Sequence, residues 1–438
     1  MVRLSRFTVS WPRRDGTVLI FNTLTRAIAI LEQSAWYEVE RSPCGSSTPA
    51  TGELARLGIL VEDSVDELAV FKHWLNKQTY GSSSYFPIVL TTWACNLACP
   101  YCCQAAVADK SAHLTVDMAG QIADWIIAEA EARHSDRISL TFYGGEPLLN
   151  PQPIEPICKR LEQWKSVNPH RDLAYFLVSN GYLLTPDRAV WLADLGVNRA
   201  MITVDGAKSV HDRRRVLKNG EGTYDRILEN IEGMASSFSL IVVNVNLDSD
   251  NAASIPGLLS DLERRGLKDA VQMNYGLTSP THAHQAHCGL CLGSFAGGLV
   301  MADAVRQTLG QGFKVIDSVM GGPCPRETDY CVVIGPEGDL YKCISSVGHP
   351  HFKLGYISDD SFHIESRAAQ HQTVALWDSD QCRACQYLPI CRAGCLHRVH
   401  VASSDLRSHE CWREFYDNHL RETIELTYEL HPSLRAVG

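Results

Sequence analysis

Between Phe86 and about Tyr275, short apolar runs alternate with amphipathic stretches, and this restricts the chain to folds with a parallel sheet and outer helices. The strand candidates are Pro87 to Trp93, Ile138 to Tyr143, Ala174 to Ser179, Arg199 to Val204, Ser239 to Leu247 and Ala270 to Tyr275. Helical periodicity separates them at Val116 to Arg133, Pro153 to Val167, Pro186 to Leu195, Tyr224 to Ala235 and Ile255 to Arg265. A barrel or an open α/β sheet satisfies this order, although six strands are too few for a closed eight-fold barrel.

The flanks differ. Upstream, Val18-Leu-Ile-Phe and Ala27-Ile-Ala-Ile-Leu flank a turn-like Asn22 to Thr25, and a helical pattern follows through Trp36 and Val39. The Ser-, Pro- and Gly-rich stretch Ser42 to Thr51 is a loop. A helical turn from Leu54 to Leu57, stopped by Gly58, the apolar Ile59 to Val61 and a helix from Asp63 to about Lys77 complete a hairpin-plus-helices unit. Its apolar residues predict a small sheet covered on one face only by short helices, with an open edge strand. Gly81 to Ser84 reads as a linker. Downstream of Gly321 the periodicity fades, and a last amphipathic helix is expected from about Cys411 to Leu430.

Cysteine content is the anomaly, with 16 in a chain whose start, Met1-Val-Arg-Leu-Ser-Arg, lacks a signal-peptide pattern. Thiols in a reducing compartment point to metal or cluster ligation. The formal net charge of -10 opposes a broad grip on nucleic acid, and polar residues interrupt the most apolar stretch, Val18 to Leu31, so neither a nucleic-acid partner nor a membrane span is expected. Cys95-Asn-Leu-Ala-Cys99-Pro-Tyr-Cys102 follows the first strand of the α/β region. Three such thiolates can hold three irons of a [4Fe-4S] cube and leave the fourth open, and the alternative is zinc with a remote histidine. Eight further cysteines lie downstream, Cys324, Cys331, Cys343, Cys382, Cys385, Cys391, Cys395 and Cys411, enough for two four-ligand sites. Ligated metal would replace core there. A pair of zinc ribbons, helped by His397, His400 and His409, is the other reading.

The Cys95 to Cys102 loop resembles the cluster motif of the radical S-adenosylmethionine (radical SAM) superfamily. Other features recur in order: Gly144-Gly145-Glu146-Pro147 after the second strand, Ser179-Asn180-Gly181 after the third, and Val204-Asp205-Gly206 with His211-Asp212 after the fourth. The resemblance implies a partial (β/α)6 barrel in which Cys95, Cys99 and Cys102 hold the catalytic cluster. It also implies S-adenosyl-L-methionine contacts at Tyr101, Gly144, Gly145, Glu146, Pro147, Ser179, Asn180 and Asp205. The chemistry implied is hydrogen abstraction by a 5'-deoxyadenosyl radical.

The downstream spacing resembles the SPASM extension of peptide-modifying members. By that resemblance Cys324, Cys331, Cys343 and Cys395 hold one auxiliary [4Fe-4S] cluster and Cys382, Cys385, Cys391 and Cys411 another, three clusters in all. Residues 1–80 resemble the winged-helix leader-recognition module of ribosomal peptide pathways, which would accept an extended leader as an added strand. The division expected is 1–80, module; 84–310, radical SAM core; 311–438, SPASM domain. Cys343 is followed by Ile344-Ser345-Ser346, whereas the sulfatase-maturing branch carries an aspartate after that cysteine, so formylglycine formation is disfavoured. The expected activity is oxidative cross-linking of a ribosomal precursor peptide, as a thioether or carbon–carbon ring, in the cytoplasm, with flavodoxin or ferredoxin as electron donor. Epimerisation, peptide excision and a non-enzymatic zinc-containing peptide-binding protein are the alternatives. Cys103 is expected to line the site, Cys158 and Cys44 to pack as apolar groups, and Cys288-Gly-Leu-Cys291 to be weak evidence for metal.

Overall fold

The computed structural model describes residues 2–43, 49–107, 111–278, 291–316, 324–372, 377–403 and 410–430. Cys44, Cys288 and His409 lie outside the described residues, as does the side chain of His400. Five strands precede the α/β region: β1 (Val2–Leu4), β2 (Thr8–Pro12), β3 (Thr17–Asn22), β4 (Ile28–Glu32) and β5 (Leu60–Glu62). The strands β2, β3 and β4 form an antiparallel sheet in that order, and β1 pairs with β5. Helices Gln33–Arg41, Pro49–Arg56 and Glu67–Tyr80 complete the unit, the last capped by the Asp66 side chain accepting from Leu68 N and Ala69 N.

The expectation that this sheet is covered on one face only is corrected. Val18, Ile20 and Ala29 pack under Trp36, Val39 and Leu54, while Leu19, Phe21 and Ile28 pack against Tyr387, Ile390, Leu420 and Ile424 of the C-terminal region. Side chains alternate between the faces of a strand, so the unbroken run Val18 to Phe21 fills both.

The α/β region holds β6 (Ser84–Leu90), β7 (Arg137–Tyr143), β8 (Asp172–Ser179), β9 (Arg199–Thr203), β10 (Leu240–Leu247), β11 (Val271–Leu277) and a short β12 (Lys314–Val315). They pair in parallel and in chain order, as a (β/α)6 barrel opened along one side requires. The expected helices are present as Val116–Ala132, Ile154–Ser166, Pro186–Asp194, Tyr224–Met234 and Ile255–Arg264. One crossover helix, Ser294–Gly310, has no counterpart in the sequence reading, because its glycines and alanines blur the apolar stripe. It packs against the final helix, Arg413–Leu430.

The C-terminal region is not detached from this sheet. Strand β13 (Cys331–Ile334) pairs parallel to β6, with Cys331 opposite Phe86, and β14 (Asp339–Tyr341) and β15 (Gly355–Tyr356) continue antiparallel to give ten strands. Strands of two to four residues carry too little periodicity to announce themselves. No helix among the described residues is long and apolar enough to cross a membrane.

Candidate functional site

The cysteine loop leaves the C-terminal end of β6, where ligand sites of α/β folds collect. Ala98 N donates to Val216 O at 2.9 Å and Lys218 N to Asn96 O at 3.0 Å, so the segment after Arg215 pins the loop. Leu97 N donates to Cys95 Sγ at 3.4 Å. Asn180 Nδ2 reaches Asn96 Oδ1 at 2.8 Å and Cys95 Sγ at 3.9 Å, tying the end of β8 to the loop.

Gly144 and Gly145 run against the backbone just before Cys95: Gly145 N donates to Thr92 O at 2.9 Å and Glu146 N to Ala94 O at 2.8 Å. A Cβ on Gly144 would lie 2.5 Å from Thr92 O, and φ there is +148°, so only glycine fits. Glu146 is fully buried with both oxygens engaged, Oε1 accepting from Ser179 Oγ at 2.8 Å and Leu148 N at 3.1 Å, and Oε2 from Asn180 N at 2.8 Å. Burial nonetheless raises its pKa.

A cavity of about 320 Å³ opens above these groups. Of the residues singled out in the sequence, Cys95, Cys99, Cys102, Tyr101, Gly144, Gly145, Ser179 and Asn180 line it, and Cys103 does too. Glu146, Pro147 and Asp205 do not line it. Asp205 accepts from Asn246 N at 3.0 Å and from the Tyr101 hydroxyl. Ser345 and His397 enter the same cavity from the C-terminal region, and Ser346 Oγ lies 3.2 Å from His397 Nδ1. No carboxylate appears among the described lining residues.

Arg215 is a charged lining residue that the sequence reading missed. Asp205 N donates to His211 Nδ1 at 3.2 Å, which places the imidazole proton on Nε2, 3.0 Å from Thr223 Oγ1, and that hydroxyl donates to Arg215 O at 2.6 Å. Burial and the Arg215 and Arg214 charges hold His211 neutral, well below its usual pKa. The Asp205-Gly206 and His211 features are therefore scaffolding that delivers the Arg215 guanidinium to the cavity. There its Nη1 donates to Tyr101 Oη at 2.7 Å, and its charge pulls the Cys99 thiol down against a larger upward push from burial. A buried guanidinium facing a cavity can pair a carboxylate. The signal was present as a basic triplet, Arg213 to Arg215, directly after His211-Asp212.

Burial pushes the Cys95 and Cys103 thiols up to about 12 and that of Cys391 to about 11. Such thiols ionise on coordination, so metal loading releases protons. Downstream, the cysteines sort into two groups. Cys324 interacts with Cys343 and Cys395, and Cys331 with Cys343. Cys382, Cys385, Cys391 and Cys411 surround one small cavity. Among the described residues no three His, Cys, Asp or Glu side chains converge as a single ion would need. A cube is broader than an ion, and thiols spaced around a gap suit it. His397 faces the main cavity rather than the second cysteine group. Cys158 packs inside its helix as expected, and Cys291 is disulfide-bonded.

The family model of the radical SAM superfamily matches residues 89–261. GTP 3',8-cyclase of Synechococcus sp. (strain CC9902) is 30% identical over 151 residues, 33% of this chain and 41% of the cyclase, so the chain spans less than half of that relative. Mycofactocin maturase MftC of Mycobacterium tuberculosis is 24% identical over 331 residues, 71% of this chain and 78% of the maturase. Among solved structures, anSMEcpe with bound AdoMet and the Cp18Cys peptide superposes with a TM-score of 0.66 at 16% identity, over 79% of this chain and 99% of that one. Streptococcus suis SuiB bound to its precursor peptide SuiA superposes with a TM-score of 0.55 at 13% identity, over 94% of this chain and 99% of that one. At these identities the structural likeness is one of fold.

Proposed function

Residues 89–261 make this chain a radical SAM superfamily protein, and from that premise we propose that it is an S-adenosylmethionine-dependent maturase of a ribosomal precursor peptide. One observation carries the reading: a single cavity is lined both by the Cys95 to Cys102 loop and by Ser345 and His397 of the downstream cysteine region. A peptide seated there would meet both. Similarity to MftC and the fold shared with SuiB support a peptide substrate.

Cys95, Cys99 and Cys102 would hold the catalytic [4Fe-4S] cluster, and the closely spaced thiols beside the Arg215 cation fit such a group. Tyr101, Gly144, Gly145, Ser179 and Asn180 would meet the S-adenosylmethionine, with Glu146, Pro147 and Asp205 supporting them from behind. Arg215 would pair its carboxylate. When bound, the cluster and cofactor supply a one-electron cleavage that generates a hydrogen-abstracting radical. The chain's part is to fix the loop through Asn180, hold the glycine edge open, and wall the cavity from water. Cys324, Cys331, Cys343 and Cys395 would hold one auxiliary cluster and Cys382, Cys385, Cys391 and Cys411 the other.

Oxidative cross-linking is the product we favour. A net two-electron oxidation suits auxiliary clusters that can accept an electron, and the described lining residues of the cavity include no carboxylate to act as the base for sulfatase-type maturation. The exposed edge of the β2–β4 sheet would take the leader as an added strand, flavodoxin or ferredoxin would supply electrons, and the protein would work in the cytoplasm. Co-expression with the short reading frame beside the gene, followed by mass spectrometry, tests the reading. A cross-linked peptide loses two hydrogens per event. Unchanged mass in ordinary water with deuterium uptake in heavy water would replace cross-linking by epimerisation.

A further inference from the structure

The segment from Asp380 to Cys391 carries Cys382 and Cys391 on two helices of four residues each, Asp380–Arg383 and Leu388–Cys391, with Cys385 in the turn between them. Helices this short have no stability of their own. What holds them is the far face of the N-terminal sheet. Leu19, Phe21 and Ile28 bury themselves against Tyr387 and Ile390, with Cys385 and Cys391 at the margin of that cluster. Phe7 and Phe71 do the same for Leu388, with Cys382 at its margin.

Two hydrogen bonds cross the same boundary. Thr23 Oγ1 donates to Gln386 O at 2.6 Å, and Gln386 directly follows Cys385. Thr23 is fully buried, so no water can replace that donor. The Arg6 guanidinium donates to Arg383 O, next to Cys382. On the other side Tyr416 Oη donates to Ile390 O at 3.2 Å from the final helix. The cysteine segment is thus clamped between that helix and the N-terminal sheet.

We propose that the N-terminal sheet is one wall of the Cys382, Cys385, Cys391 and Cys411 site, so that retention of an iron–sulfur group there and the module's grip on a precursor are thermodynamically linked. The first half rests on reading those cysteines as ligands, the second also on reading the module as the precursor's receptor. Linkage is reciprocal: a peptide that stiffens the sheet raises the equilibrium affinity of the site for its iron, and loss of the iron weakens the peptide's binding by the same factor.

The test uses reconstituted full-length protein and follows iron release to a ferrous chelator by absorbance under anaerobic conditions. Thr23→Val keeps the shape but removes the donor to Gln386 O, and release of one fraction of the iron is expected to quicken about fivefold, the equivalent of one buried hydrogen bond. Thr23→Ser restores the hydroxyl and should restore the slow rate. If Thr23→Val does not fold, Arg6→Ala removes the exposed crossing bond without opening the core and should also quicken release. Release from the folded variant as slow as from the wild type overturns the wall. In the second arm, saturating precursor should raise the chelator concentration that strips half of that iron from the wild type at equilibrium. Precursor that binds by calorimetry but leaves that midpoint unchanged overturns the linkage, whereas precursor that does not bind overturns the receptor reading, and the threonine pair still decides the wall.

Discussion

In the barrel, Leu140, Phe142, Leu177 and Ile202 are fully buried on long parallel strands closed over by helices of nine to seventeen residues. Between Asp380 and Cys391 the helices have four residues, and their apolar side chains are buried largely against other parts of the chain. The two regions hold cysteines by opposite means. The barrel presents Cys95, Cys99 and Cys102 on a loop hung from a sheet with a large core of its own, whereas Cys382, Cys385 and Cys391 sit in a scaffold that borrows its packing from other parts of the chain.

The sharpest way to break this comparison is to empty the barrel loop. Cys95→Ala, Cys99→Ala and Cys102→Ala together should abolish S-adenosylmethionine cleavage and remove about four irons of a total of about twelve, while circular dichroism and the melting of the barrel stay as they were. Unchanged iron in the triple variant would remove the catalytic assignment. A barrel that unfolded with the loss would show that the loop, too, depends on its ligand.

Core substitutions come next in size. Leu177→Ala should cost about 2–5 kcal/mol in denaturant unfolding, by the same amount with iron present or chelated. Phe21→Ala should cost about 3–5 kcal/mol and, because Phe21 is shared with Tyr387 and Ile390, should also make the C-terminal transition more sensitive to chelator. Equal chelator sensitivity of both variants would erase the distinction between the regions. Gly144→Ala is smaller in stability, about 1–3 kcal/mol from the strained φ, but its Cβ would push on Thr92 and should weaken cofactor binding by calorimetry.

What could be read from the sequence follows the same division. Six barrel strands and five of its helices announced themselves within a few residues because each repeats its period, whereas Ser294–Gly310, though long, did not because its glycines and alanines blur the stripe; Gly144-Gly145 and Asn180 fell where their spacing put them. Arg215 was hidden because a basic triplet at the end of a helix is ordinarily solvent-facing, whereas the fold buries both Arg214 and Arg215 and brings the second of them to the cavity. The N-terminal sheet was misjudged for a different reason. Four consecutive apolar residues on a strand, Val18 to Phe21, demand two buried faces, and the partner for the second face lies more than 360 residues away in the chain, as Thr23 and Gln386 illustrate. The strands β13 to β15 escaped because a residue such as Cys331 gives no sign that it will pair with Phe86.

The smallest effect concerns pH, and it too separates the regions. His419, on the final helix, is buried beside Phe415, with Thr423 Oγ1 2.9 Å from its Nε2, and burial lowers its pKa from 6.5 to about 4. The unfolded chain therefore binds a proton between these values that the folded chain refuses, so stability falls as pH drops from about 6.5 toward 4 and changes no further below that. At pH 5 the loss attributable to this one residue is about 2 kcal/mol. His419→Gln, which cannot take the proton, should flatten that slope in urea unfolding of the C-terminal transition while leaving the barrel transition where it was. An unaltered slope would mean that the acid sensitivity of this region does not come from this histidine.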